Sequence, residues 1–296
     1  QGIQNLLRHR GRTMLTVLGV IVGCCSVVIM ISIGIGMRLS TDATLAQMGE
    51  LNVIDVYTSG EAGEKKLDAS AVAALKTISH VKAVIPKIRY YGDVQLIAGT
   101  SGRYQADYVP IIGEKAEHLK LEGYELSSGD WASLKQGDAL AGEYLAYSFT
   151  DTKRPEGYNQ IEKYNYYDWE TGTFSDLPEA YVDLKRDSLS LVIGSQGEEQ
   201  STQKVSMEIS VAGIIQDGGP DSYTISEGLI LDLDVLEGLL DDYAKLTGGK
   251  KQSEMGYSEI KVVVDEISNV ESVEKEIRKL GFRTSSMESI RKPMEQ

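Results

Sequence analysis

Nucleophilic or metal chemistry in this sequence would have to come from three histidines and two cysteines. His9 sits in a basic cluster, His80 follows a helical pattern and His118 lies in a short one. No two have metal-ligand spacing, and no cysteine outside one apolar run could complete a zinc site. Cys24 and Cys25 are adjacent inside that run and read as small apolar residues, with acylation or redox chemistry as the alternative. A Gly-x-Ser-x-Gly elbow is absent. The stretch "TGGKK" from Thr247 to Lys251 has the look of a phosphate loop but lacks the upstream glycine and the Ser/Thr after lysine. Asp168 and Glu170, two apart in a polar stretch, read as solvated acids rather than a general acid–base pair. "DLDVLEGLLDDY" gathers acids without the glycine and terminal glutamate of a calcium loop. The sequence therefore predicts no enzyme, no metal site and no cofactor site.

The strongest signal lies in the elements instead. Residues 1–13 carry Arg8, Arg10 and Arg12 and no acid, whereas the whole chain has a net charge of −14. An acidic body argues against nucleic acid as a partner. Met14 to Met37 is a run of 24 residues without a charge. As a helix this run is about 36 Å long, enough to cross a hydrocarbon core of about 30 Å. A signal-peptide core is shorter and ends at a small-x-small site, which "GIGMRLS" offers poorly. Arginines before the run predict a cytoplasmic N-terminus and an extracytoplasmic main domain. Thr16, Gly19, Gly23 and Ser26 recur at three- and four-residue spacing, with Gly34 further along. Gly19-x-x-x-Gly23 is a pair that admits a second helix closely, although glycine is also simply common in membrane helices. Residues 1–13 read as an interfacial segment on the inner leaflet or as a linker helix. Residues 38–49 continue the helical spacing without proline and predict a stalk.

Past the stalk, "LNVIDVY" predicts a strand and Asp68 or Ser70 an N-cap to a helix with Val72, Leu75 and Ile78 as its stripe. "VKAVIPKIRYYGDVQLIAG" reads as one strand and "RYQADYVPII" as the next. The same grammar returns as "YSEIKVVVD", a helix striped by Val273, Ile277 and Leu280, and "GFRTSSM". Two such units predict an α+β, ferredoxin-like layer, here termed porter-like, built from 50–112 and 220–285; unrelated βαβ units in a larger α/β fold are the competing arrangement. Residues 113–219 read as a mostly β module inserted into it, and 286–296 as the start of a second stalk helix. "DSLSLVIGS" and "QKVSMEISVAGIIQ" predict a pair of alternating strands. Within the insert, 151–187 is rich in aromatics. Tyr158, Tyr164, Tyr166, Tyr167 and Trp169 could form a flap that contacts a partner, or could pack on their own domain.

The pattern Arg12-Thr13-x-Leu15-Thr16-x-Leu18-Gly19-x-Ile21-x-Gly23, followed by Ser32-Ile33-Gly34-x-Gly36, resembles the first transmembrane helix of MacB-type (FtsX-like, type VII) ABC transporter permeases. "HVKAVIPKI", "DALAGEYLAYSF", "VAGIIQD" and the C-terminal βαβ stretch are similar to segments of that family's exterior domain. The resemblance implies a non-catalytic permease subunit in the bacterial cytoplasmic membrane, in contact with membrane lipid. It implies a cytoplasmic ATPase partner that binds the ATP, a second permease copy or paralogue, and a membrane-fusion or accessory protein. Mechanotransmission, in which ATPase closure moves the exterior domain, would drive efflux or extraction of peptides, antimicrobials or lipoproteins. A single-pass anchored sensor or binding module without an ATPase is the alternative. The segment 151–187 is longer than the family's usual connection.

Overall fold

The computed structural model describes residues 10–47, 52–58, 65–131, 134, 137–164, 167–168, 172–194 and 203–287. The chain divides into two compact units, Gln1–Met48 and Gly49–Gln296.

The first unit is a single helix, α1 (Arg10–Gln47), of 38 residues. The predicted interfacial segment up to residue 9, Arg8 included, lies outside the described residues. Of α1's side chains, 14–15, 17–33 and 36 are described, and all are exposed. Arg10, Arg12, Thr16 and Gly34 are therefore placed by backbone only. Among the described residues no helix is long and apolar enough to cross a membrane, the longest unbroken run of described side chains in α1 being 17–33. Ser26 Oγ donates to the Val22 carbonyl oxygen at 2.7 Å, so the helix satisfies this hydroxyl itself.

The second unit begins with β1 (Val53–Tyr57), α2 (Ala69–Lys76) and β2 (Val81–Tyr90). It continues with β3 (Val94–Ala98), β4 (Tyr104–Asp107), β5 (Ile111–Gly113), the short α3 (Ala116–Leu119), β6 (Leu126–Gly129), β7 (Asp138–Gly142) and β8 (Thr150–Asp151). Then come β9 (Tyr167–Asp168), β10 (Thr173–Phe174), β11 (Leu189–Ile193), β12 (Val205–Ile215), α4 (Ser222–Ile225), β13 (Leu229–Leu231), α5 (Leu233–Thr247) and α6 (Gln252–Met255). β14 (Glu259–Val264), α7 (Val270–Lys279) and β15 (Arg283–Ser286) close it. The fold is α+β.

Asp68 is the N-cap of α2, its carboxylate accepting from the backbone N–H groups of Ser70 and Ala71 at 2.9 and 3.0 Å. β15, β1, β14 and β2 lie side by side, every neighbouring pair antiparallel. This is the 4-1-3-2 order of a ferredoxin-like layer. Leu75 of α2 and Val273 and Ile277 of α7 bury against Ile54, Val56, Val84, Ile260, Val262 and Val264 of the sheet. The stripes read from sequence are thus the faces that build this core.

The sheet does not stop there. The path β15-β1-β14-β2-β5-β13-β7-β12-β11-β3-β4-β8, with β6 beside β12, makes 13 described strands in one sheet. Along β5, β7 and β13, successive residues face two different cores. Ile111, Ala139, Ala141, Leu229 and Leu231 join the larger one with Leu236 and Leu240 of α5. Ile112, Leu140 and Ile230 join a smaller one with Leu119, Tyr124 and Ile225.

Two sequence readings change. "VKAVIPKIRYYGDVQLIAG" is not one strand: the chain turns at 91–93, and β3 pairs with β11 and β4 instead of continuing along β2. Apolar alternation on both sides of the turn hides the break. "RYQADYVPII" likewise splits into β4 and β5, around Tyr108 with φ 56°. As a result β3, β4 and β5 from 50–112, and β13 from 220–285, lie in the larger part of the sheet rather than the ferredoxin-like layer, and α5 packs on the larger core. The acidic "DLDVLEGLLDDY" is the body of α5, with Leu233, Leu236, Leu240 and Ala244 buried. "TGGKK" ends that helix, Gly248 taking φ 72° as its left-handed C-cap.

Candidate functional site: an ionic cluster where a strand changes partner

β2 is shared between the two parts of the sheet. Residues 81–87 pair with β14, with Lys87 opposite Glu259, whereas 88–90 pair with β5, with Ile88 opposite Gly113. At this changeover the structure collects charge. Lys87 is fully buried. Its Nζ lies 2.5 Å from Glu122 Oε2, 3.0 Å from Asp221 Oδ2 and 2.9 Å from Glu114 Oε2. It also lies 5.3 Å from the centroid of the Tyr124 ring. Lys261 of β14 reaches the same Glu122 Oε2 at 2.9 Å, and Arg89 Nη2 joins Asp221 Oδ1 and Glu259 Oε1, both at 2.7 Å. Tyr124 Oη donates to Asp221 Oδ2 at 2.6 Å. Asp221 comes from the "DGGPD" loop and holds φ 54°, a left-handed conformation unusual outside glycine.

The environment sets the ionisation of these groups. Burial works against the Lys87 ammonium, but Glu114, Glu122, Tyr124 and Asp221 outweigh it and hold the pKa well above the ordinary lysine value. Burial also opposes the Asp221 carboxylate, and Lys87, Lys261 and Arg89 overcome it, so that its pKa falls far below the usual aspartate range. At Glu114 burial wins against Lys87 and the pKa is pushed up to about 8. Neither oxygen of Glu114 has a hydrogen-bond partner: Lys87 Nζ approaches at 2.9 Å but off the bonding direction. Glu122 Oε1 is likewise unpartnered.

Burial and charge contacts of this density mark a pin between the two parts of the sheet. Nothing in the spacing of Lys87, Glu114, Glu122 and Asp221 along the chain announces it, because four separate segments supply them. The one signal was lysine inside an apolar strand, "VIPKI".

The residues singled out in sequence lie elsewhere. Gly19 and Gly23 are on α1, and a Cβ added at either meets nothing within 4 Å. Tyr158 and Tyr164 are exposed, Tyr167 is placed by backbone in β9, and Tyr166 and Trp169 lie outside the described residues. The aromatic segment is anchored at both ends. Val182 and Leu184 enter the larger core. Buried Asp151 receives Arg103 through Nε at 2.9 Å and Nη2 at 2.6 Å. The Arg103 guanidinium covers the Tyr104 ring, Tyr104 stacks on Tyr181 at 5.4 Å between centroids, and Arg154 covers Tyr181. His80 Nδ1 lies 3.0 Å from Asp265 and 3.1 Å from Asn269 at the surface, and His118 is in α3. Among the described residues no group of three or more His, Cys, Asp or Glu is placed to hold a metal ion.

Comparison with known proteins places the chain in a family. The macrolide export ATP-binding/permease protein MacB of Shewanella oneidensis is 32% identical over 139 residues, 45% of this chain and 20% of that protein. The ABC transporter permease YtrF of Bacillus subtilis is 22% identical over 291 residues, 96% of this chain and 62% of that protein. The chain thus spans about a fifth of the length of the MacB relatives it matches. The crystal structure of the periplasmic region of MacB from Actinobacillus actinomycetemcomitans aligns with a TM-score of 0.45 at 13% identity, over 83% of this chain and 93% of that one. The family model for the MacB-like periplasmic core domain matches residues 13–161. The chain belongs to the MacB-like periplasmic core domain family of ABC transporter permeases.

Proposed function

We propose that this chain supplies the first membrane helix, the stalk and the extracytoplasmic domain of a non-catalytic permease subunit, through which a cytoplasmic ATPase drives efflux. The observation that carries the reading is α1. One unbroken helix of 38 residues holds both the apolar run and the polar stretch after it. At 1.5 Å per residue it is roughly 57 Å long, more than the roughly 30 Å of a hydrocarbon core, and in this reading the uncharged run from Met14 to Met37, some of whose side chains lie outside the described residues, is the part that crosses. A break at the membrane surface would absorb a displacement; a continuous helix hands it on. Arg8, Arg10 and Arg12 set the N-terminus in the cytoplasm. Thr16, Gly19, Gly23, Ser26 and Gly34 form the face that another membrane helix packs against, in a second permease copy or within the same subunit. Exposed Tyr158 and Tyr164 offer contact area to a peptide, antimicrobial or lipoprotein cargo, or to an accessory protein.

The test is the double variant Gly19→Leu/Gly23→Leu in the intact transporter. In this chain neither glycine makes a contact that leucine would break. Leucine is also the better helix former by up to about 1 kcal/mol per site. We expect transport-dependent resistance to fall while expression and ATP hydrolysis hold. Full resistance at normal expression would refute the packing role.

A further inference from the structure

Glu114 and Glu122 converge on one buried ammonium, yet three of their four oxygens are not properly used. Both oxygens of Glu114 and Oε1 of Glu122 are buried without a hydrogen-bond partner, and Glu114 is fully buried. An ionised carboxylate in that position pays the desolvation of two unsatisfied acceptors. Charge counting gives the same message. Lys87, Arg89 and Lys261 supply three cations against five acids, Glu114, Glu122, Asp221, Glu259 and the neighbouring Asp55. Glu114 Oε2 and Glu122 Oε2 lie 2.9 and 2.5 Å from the same Lys87 Nζ, so the two carboxyl groups flank one ammonium.

We propose that Glu114 and Glu122 hold one proton between them at neutral pH, making the changeover of β2 a buried proton-binding site. The proton resides on Glu114 and is donated to Glu122 Oε1. One added proton gives two orphan acceptors a shared hydrogen bond, lowers the excess of negative charge in the cluster and turns the 2.9 Å approach of Lys87 to Glu114 from an ion pair into an ammonium beside a carboxylic acid. Two carboxyl groups pressed together and sharing one proton is a general response to like charges that cannot both ionise. Because the site lies between the ferredoxin-like layer and the rest of the sheet, loss of the proton places an uncompensated charge in the contact that joins them. The hold between the two parts of the sheet therefore depends on pH. This inference stands on the geometry of the cluster and is independent of the transport reading.

The groups facing Glu114 and Glu122 come from every element around them. β2 brings Lys87 and Arg89, and β14 brings Glu259 and Lys261. The segment after α3 brings Tyr124, the loop before α4 brings Asp221, and β1 brings Asp55. His118 of α3 also senses Glu122, and burial lowers its pKa against the pull of Glu117 and Glu122. Asp55 is raised, by burial first and against the pull of Lys261.

The sign of the pH effect follows from linkage. A carboxyl whose folded pKa is raised from 4.5 to about 8 binds its proton more tightly in the folded state. Its contribution is fully present below 4.5, declines as pH rises and is gone by about 8, above which the curve is flat.

The experiment is an infrared titration of the full 296-residue chain in detergent micelles, with thermal unfolding followed on the same samples. A protonated-carboxyl C=O band present at pH 7, titrating away with a midpoint near 8, is the expected result. Glu114→Gln should abolish that band and remove the decline of melting temperature between pH 5 and 8. Glu122→Gln should keep the band but move its midpoint down, because a neighbouring negative charge is gone. If Glu114→Gln does not fold, the wild-type band and its shift in Glu122→Gln decide alone. No protonated-carboxyl band at pH 7 in the wild type, a band that persists in Glu114→Gln, or a midpoint unmoved in Glu122→Gln would overturn the proposal.

Discussion

Lys87→Met removes the one cation that three carboxyl groups share, at nearly constant volume. Breaking a buried pair by deleting one partner generally costs about 3–5 kcal/mol. The structure places this case toward the lower end. Glu122 keeps Lys261 at 2.9 Å and Asp221 keeps Arg89 at 2.7 Å, while Glu114 loses its cation but carries a proton in our account. About 3 kcal/mol is the working value, and for a domain of about 250 residues each kcal/mol moves the melting temperature by roughly 2–4 °C. The expected fall is therefore roughly 6–12 °C, measured by near-ultraviolet circular dichroism of the full chain in micelles at pH 7. The triple variant Lys87→Met/Glu114→Gln/Glu122→Gln should recover most of that loss, because a buried ionic group removed as a whole is close to neutral. A single variant within about 2 °C of wild type would show that the cluster does not pin the sheet. A triple variant no better than the single one would show that the damage is packing rather than charge.

Asp221→Asn should destabilise by about 3 kcal/mol at pH 7. The difference from wild type should close as pH falls well below 3.8, because a depressed aspartate contributes above its unfolded pKa and is lost as pH drops through its folded one. Asp151, held near 2 by hydrogen bonds from Arg103, follows the same sign, with its window between 3.8 and about 2. Asp151→Asn should remove that part of the acid transition and expose 152–187 to limited proteolysis while the rest resists. Gly142→Ala should be severe, more than about 4 kcal/mol, since its Cβ would sit 1.7 Å from the Ile225 carbonyl oxygen. Gly157→Ala, with nothing within 4 Å but φ 84°, should cost only the left-handed strain of about 1–2 kcal/mol; comparable soluble yields for both would refute the contact.

The ferredoxin-like layer was legible because its signals are local. Asp68 caps α2, Val273 and Ile277 repeat at helical spacing, and Val262 and Val264 alternate along β14. What escaped the sequence was long-range pairing. Gly92 sits inside an apolar alternation that spans two strands, and β3 finds its partner β11 nearly a hundred residues on. In α5 the acids stand out in the sequence, although Leu233, Leu236 and Leu240 mark a buried helical face. The ionic cluster was the least readable feature. Glu114, Glu122 and Asp221 are ordinary surface residues by type, and only the fold makes them neighbours of Lys87.

The handover along β2 also bears on how such a domain can diversify. Lys87 stands opposite Glu259, and Ser258 donates its backbone N–H to the Lys87 carbonyl oxygen at 2.8 Å. The roughly 170 residues between β2 and β14 therefore leave and rejoin the ferredoxin-like layer at adjacent points, where a simple hairpin would need only a tight turn. For an unstructured loop of that length, closure would cost about 3 kcal/mol more than for a turn. A folded insert whose ends already meet avoids most of that penalty. The layer can thus host inserts of different size without redesign of its own core.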